Sequence, residues 1–208
     1  MLYRYLLLFF VVAPLARDDW RSLFDGKSLA GWQNAAGKEP AWVVEDGALV
    51  SREKSGYVWT KQRFGDFVLD LEVKTGGNSG VFIRTDNLKN PVQTGIEIQV
   101  NNPSEKLGTH SLGAFYDLVA PTSNPAKKGE WMRMVITAKD NLLKLELNGV
   151  TINQMDLNRW TEPGKNPDGT KNKYKVALKD FKREGHIGFQ DHGADVRYRN
   201  VKIRVLGS

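Results

Sequence analysis

The side chains best placed to do chemistry in this sequence are carboxylates, amides and one arginine on alternating stretches. In residues 95–101, Ile96, Ile98 and Val100 share one face, and Glu97, Gln99 and Asn101 share the other. Successive side chains of a strand point to opposite sides, so an acid and two amides stand in a row. Such a row matches a cluster of sugar hydroxyls, and equally a solvated strand face. In the preceding stretch Arg84 falls opposite Val81 and Ile83. A half-buried guanidinium wants a carboxylate, so Glu97 is its expected partner across the sheet, in a site or in a structural ion pair.

Residues 76–80, Gly-Gly-Asn-Ser-Gly, would let backbone approach a ligand closely. They lack the Lys-Ser/Thr ending and the following helix of a phosphate cradle. Residues 185–193 carry His186, Gln190, Asp191 and His192. Asp191 and His192, with a third ligand from elsewhere, could form a divalent-cation site. The chain has 3 His and no HExxH cluster, however, and a hydrogen-bonded turn explains the segment as well. With 0 Cys, disulfide scaffolds, thiolate nucleophiles and Cys-ligated zinc are excluded. No Gly-x-Ser-x-Gly elbow occurs. The remaining acids of interest are Glu45, Asp46, Glu97, Asp117 and Asp191, two of which could flank a sugar ring.

These groups need strands to hold them. Apolar and polar residues alternate through residues 67–74, 81–85, 96–101, 131–137, 142–147 and 201–205. Asp46-Gly47 and Asn148-Gly149 separate neighbouring runs and suit two-residue hairpins, since Asn, Asp and Gly tolerate positive φ. No long helical period appears, apart from a turn or two at residues 176–181. The expectation is an all-β, two-sheet antiparallel jelly-roll sandwich. Residues 157–175 have no periodicity and hold Pro163, Pro167 and Asp168-Gly169, which reads as a long functional surface loop. Trp59 and Trp160 are either sugar-stacking platforms or core.

At the amino terminus, Arg4 precedes a short apolar run. Residues 1–16 read as a signal peptide, too short to span a bilayer, or as a membrane tether if uncleaved. Residues 17–208 then form one exported domain, periplasmic or extracellular. The formal charge of +6 comes from 30 Lys and Arg mixed with 24 Asp and Glu. Without a basic helix or RNA motif, this is a solvated surface rather than a nucleic-acid interface.

The motifs together resemble the 3-keto-disaccharide hydrolase domain family. The resemblance runs through residues 20–32 (WRSLFDGKSLAGW), 42–49 (WVVEDGAL), 64–67 (FGDF), 78–84 (NSGVFIR), 95–99 (GIEIQ), 113–117 (GAFYD), 129–131, 147–149, 185–193 and 196–203 (VRYRNVKI). It implies a concanavalin A-like fold and cleavage of glycosides already oxidised at C3. On that footing Glu97 is the base that takes the C2 proton. Arg84 or a bound divalent cation meets the enolate oxygen, and His192 or Asp117 donates to the departing oxygen. Asn78, Gln99, Tyr116 and Gln190 would hold ring hydroxyls. Where relatives often carry an acid after the Glu-x-Gln pair, this chain has Asn101-Asn102. The competing functions are a non-catalytic carbohydrate-binding module and a cell-surface scaffold.

Overall fold

An alternating strand must withdraw one face from water, and this chain does so by stacking two antiparallel sheets over a shared core. A computed structural model describes residues 19–207. The expected leader, residues 1–16, lies outside them.

The strands in chain order are β1 (Arg21–Ser22), β2 (Trp32–Gln33), β3 (Val43–Glu45), β4 (Ala48–Val50), β5 (Tyr57–Thr60), β6 (Phe67–Thr75) and β7 (Ser79–Thr85). They continue with β8 (Ile96–Val100), β9 (Met132–Lys139), β10 (Leu142–Leu147), β11 (Val150–Asp156), β12 (His186–Gln190) and β13 (Val196–Val205). The larger sheet runs β11-β10-β9-β6-β13-β4-β3, with β1 also paired to β13. The smaller runs β2-β5-β12-β7-β8. Consecutive strands cross between sheets at β1–β2, β2–β3, β4–β5, β5–β6, β6–β7, β8–β9, β11–β12 and β12–β13, which gives the sandwich its jelly-roll winding.

The alternation read from the sequence is the packing. Leu69, Leu71 and Val73 of β6, with Met134 and Ile136 of β9, meet Val81, Ile83 and Ile98 of the smaller sheet, all fully buried. Both hairpin turns have left-handed central residues, Asp46 and Gly47 at φ 49° and 74°, and Asn148 and Gly149 at φ 49° and 82°. That geometry matches the right-handed twist of the strands they join. Residues 157–175 are not a plain loop: a 3-10 turn occupies Leu157–Arg159, and Lys165 bridges to Lys171. A second 3-10 turn follows at Leu178–Asp180. Trp160 is buried, and its Nε1 donates to Asn166 Oδ1 at 2.8 Å. It is core rather than a platform.

Arg84 departs from expectation. It has φ +51°, and β7 spends one more residue than β12 between the Phe82–Gly188 and Thr85–His186 pairs. This bulge re-aims the side chain. The guanidinium leaves Glu97 and runs to the rim of the sandwich. There it donates to Gly65 O (3.0 Å), Asp140 O (2.6 Å) and Asp66 Oδ1 (2.8 Å). Asp140 lies in the turn between β9 and β10, so Arg84 ties the smaller sheet to the larger one. Burial pulls its pKa down to about 10, and it stays charged at neutral pH. Gly185 lies against the Arg84 backbone, where no Cβ would fit.

The outer face of the larger sheet is an ion ladder. Asp70, 3% exposed, accepts from Arg133 Nε (2.9 Å) and Nη2 (2.7 Å), with Lys202 Nζ at 3.3 Å. Glu72 takes Arg199 at 2.6 Å. Burial alone would raise the Asp70 pKa; the two cations outweigh it and hold the carboxyl below its usual range. A depressed carboxyl stabilises the fold above its unfolded value and loses that contribution as pH falls through its folded value. Stability is therefore expected to drop below about pH 4, and Asp70→Asn to flatten that acid limb in pH-dependent denaturant titrations. Arg84→Met is expected to cost about 3 kcal/mol of unfolding free energy in urea titration, because three acceptors lose one buried donor group.

Candidate functional site

The smaller sheet turns two rows of side chains away from the core. Strand register places Gln33, Trp59, Gly188, Phe82 and Glu97 side by side across all five strands. The next row holds Tyr57, Gln190, Gly80 and Gln99. Each row contains one glycine, and each glycine leaves a dent that a larger neighbour fills. The Trp59 ring lies on Gly188, where a Cβ would collide with it. The Glu97 carboxylate leans over Gly80, where a Cβ would come within 2.8 Å of Oε1. Tyr57 stacks on Trp59 at 5.3 Å between centroids, and Phe82 meets both rings edge-on. Trp59 is thus a fully buried floor, not an exposed platform.

Residues 113–116 extend the sheet beyond β8. Gln99 N donates to Ala114 O, Gly113 N to Gln99 O and Tyr116 N to Glu97 O, each at 2.9 Å. This pairing sets Tyr116 beside Glu97. The Tyr116 ring stacks on His110 (4.5 Å, 24°), and His110 Nε2 lies 3.3 Å from Asp117 Oδ1. Lys173 closes the group from above. Its Nζ is 2.8 Å from Glu97 Oε2 and 4.1 Å from the centre of the Tyr116 ring. Glu97, only 5% exposed, thus meets a lysine in place of the expected Arg84. Burial first, then the charges of Glu97 and Asp117, push the Tyr116 phenol up. For Tyr57, burial and Glu97 outweigh the Gln190 bond in the same direction. Both phenols remain neutral donors at working pH.

The amides complete the rim. Gln99 Nε2 donates to Asn78 Oδ1 at 2.8 Å, and Gln190 Nε2 to the Tyr57 hydroxyl at 3.0 Å. Gln99 Oε1 and Trp59 Nε1 are buried without a hydrogen-bond partner among the described residues. One is an acceptor and the other a donor, on the same face of the sheet. Asn102 Nδ2 donates to Gly76 O at 3.0 Å, pinning the loop before Asn78. A carboxylate at that position could not make this bond.

The structure therefore gathers Glu97, Tyr116, Asp117, Gln99, Asn78 and Gln190 on one side of the sheet. It removes Arg84, which the β7 bulge aims elsewhere. His192 lies exposed in the turn after β12 and has no polar partner among the described residues. Lys173, His110 and Tyr57 join the group without having been singled out. The loop that carries Lys173 was visible as aperiodic; the contact itself spans 76 residues and has no local pattern. Among the described residues no group of three or more His, Asp or Glu is arranged for a metal ion, and His110 with Asp117 supplies two such donors.

Comparison with known proteins gives three findings. Residues 19–204 match the 3-keto-alpha-glucoside-1,2-lyase-like domain. A protein of Bacteroides thetaiotaomicron named 3-keto-disaccharide hydrolase is 26% identical, over 93% of this chain and 80% of its own length. A solved structure from Parabacteroides distasonis, provisionally named a glycosyl hydrolase, is 30% identical with TM-score 0.81, covering 91% of this chain and all of that one. At 14% identity and TM-score 0.51, the carbohydrate-binding module CBM66 of Bacillus subtilis shares the fold alone. The dent at Gly188 is testable directly: Gly188→Ala is expected to displace Trp59 and cost about 1–3 kcal/mol, measured by urea unfolding monitored through tryptophan fluorescence.

Proposed function

The chain belongs to the 3-keto-alpha-glucoside-1,2-lyase-like domain family, and from that membership we propose that it is a carbohydrate-active hydrolase whose substrates are glycosides already oxidised to a ketone at C3. The names of its relatives support the sugar substrate and the hydrolase class. The observation that carries the chemistry is Glu97: a carboxylate sunk in a polar sheet face, with hydroxyl-binding amides beside it and two buried polar atoms awaiting partners.

The ketone decides the route. It acidifies the C2 proton, because the electron pair left on C2 delocalises onto the C3 oxygen. Glu97 removes that proton as general base. The enolate then reforms the carbonyl, a double bond forms between C1 and C2, and the C1–oxygen bond breaks. The leaving oxygen takes a proton. Water adding across the new double bond completes net hydrolysis, whereas release of the unsaturated ketone ends the reaction as a lyase. No oxocarbenium ion is needed, so the paired carboxylates of ordinary glycosidases are not required.

Asp117 with His110 is the donor to the leaving oxygen. The pair stands at the Tyr116 rim, next to Glu97 and open to solvent, whereas His192 occupies the turn after β12. Asn78, Gln99, Tyr116 and Gln190 hold ring hydroxyls, with Tyr57 steadying Gln190.

The test is to offer the protein a 3-keto-glucoside and its unoxidised parent and follow leaving-group release. Turnover of the ketone alone is expected. Glu97→Gln should lower kcat by about 10²- to 10⁴-fold, the range for loss of a general base. Affinity for the sugar with no release from either compound would leave a binding module in place of the enzyme.

A further inference from the structure

Proton abstraction at C2 puts negative charge on the C3 oxygen, and a group must receive it. Arg84 is committed to Gly65, Asp66 and Asp140 at the sandwich rim. We propose that Lys173 is the further catalytic residue that binds the C3 oxygen and stabilises the enolate, and that Gln93 is the residue that positions it.

Three observations converge. First, Lys173 Nζ and Glu97 Oε2 are 2.8 Å apart. The ketone oxygen and the C2 hydrogen belong to adjacent carbons, so two groups this close can address both at once. The ketone oxygen replaces Glu97 as the acceptor for Lys173, and the same displacement releases Oε2 to take the proton. Second, the ammonium is fixed in place. It sits 4.1 Å over the Tyr116 ring, with its side chain 19% exposed, so it is reachable from solvent rather than sealed within the fold. Third, the backbone immediately after Lys173 is clamped by one side chain. Gln93 Nε2 donates to Lys173 O, and Gln93 Oε1 accepts from Lys175 N, each at 2.9 Å. Gln93 belongs to the short helix Pro91–Thr94 that leads into β8, the strand carrying Glu97. One small element thereby sets the base and the cation in a common frame. Asn166 braces the same loop from the other side, accepting from Asn172 Nδ2 (3.0 Å) and donating to Asp117 O (3.3 Å).

This assignment rests on the 3-keto-glycoside reading, so the experiment separates the two. Wild type, Lys173→Ala, Lys173→Arg, Gln93→Ala and the Lys173→Ala/Gln93→Ala double variant are assayed on a 3-keto-glucoside across pH, with circular dichroism confirming the fold. Lys173→Met, which keeps the stem over Tyr116, replaces Lys173→Ala if the latter unfolds. Lys173→Ala is expected to lower kcat by about 10²- to 10³-fold, the usual loss for one oxyanion donor, while KM moves much less. The pH profile distinguishes the role from its rival. If Lys173 only keeps Glu97 ionised, raising the pH restores the variant to wild-type kcat. If Lys173 receives the enolate charge, the deficit persists on the alkaline plateau. Lys173→Arg should retain part of the rate. Gln93→Ala should lower kcat about tenfold alone and have no further effect once Lys173 is Ala, which marks action through Lys173 rather than general stability. An active wild type with Lys173→Ala within threefold of it, or full recovery at high pH, overturns the assignment and leaves C3-ketone cleavage standing. A wild type inert on the ketone removes both.

Discussion

A carboxylate held in the middle of a sheet face is the constraint around which this molecule is arranged. Glu97 has given up nearly all its water, and an ionised group in that position needs a cation and hydrogen-bond donors. Lys173 is that cation. The requirement explains why an aperiodic stretch with two glycines and two prolines in its middle is nevertheless ordered. Its Lys173 must arrive at one point above β8. Trp160, Asn166, Asn172 and Gln93 are the fastenings that bring it there.

In the folded protein each ion of this pair satisfies the other. The sheet face beneath it is closely packed. Gly188 and Gly80 sit in adjacent rows, and their missing side chains let one indole and one carboxylate lie close to the backbone. The acceptor Gln99 Oε1 and the donor Trp59 Nε1 are left without partners on that face among the described residues.

The two sheet faces that look outward serve different ends. On the larger sheet Asp70, Glu72, Arg133, Arg199 and Lys202 neutralise one another in a ladder whose cost of burial is met within the ladder. On the smaller sheet the charges are few, the amides many and the glycines central. Arg84 belongs to neither face. It holds the sheets together at their rim, a structural duty that uses all three of its nitrogens.

Local pattern determined a great deal here by itself. Period-two alternation assigns the strands and their buried faces, because burying one side of a pleat permits one register. Asp-Gly and Asn-Gly assign the hairpins, because few other residues tolerate their dihedrals. Glu97 and Gln99 were legible as a polar row for the same reason. Only the tertiary structure decided which cation meets that row. The β7 bulge that turns Arg84 aside depends on pairing with β12, roughly a hundred residues later in the chain. Lys173 and His110 arrive from loops, where no periodicity ties a side chain to a face. A contact made across the fold by desolvation and charge leaves no trace in the spacing of its neighbours.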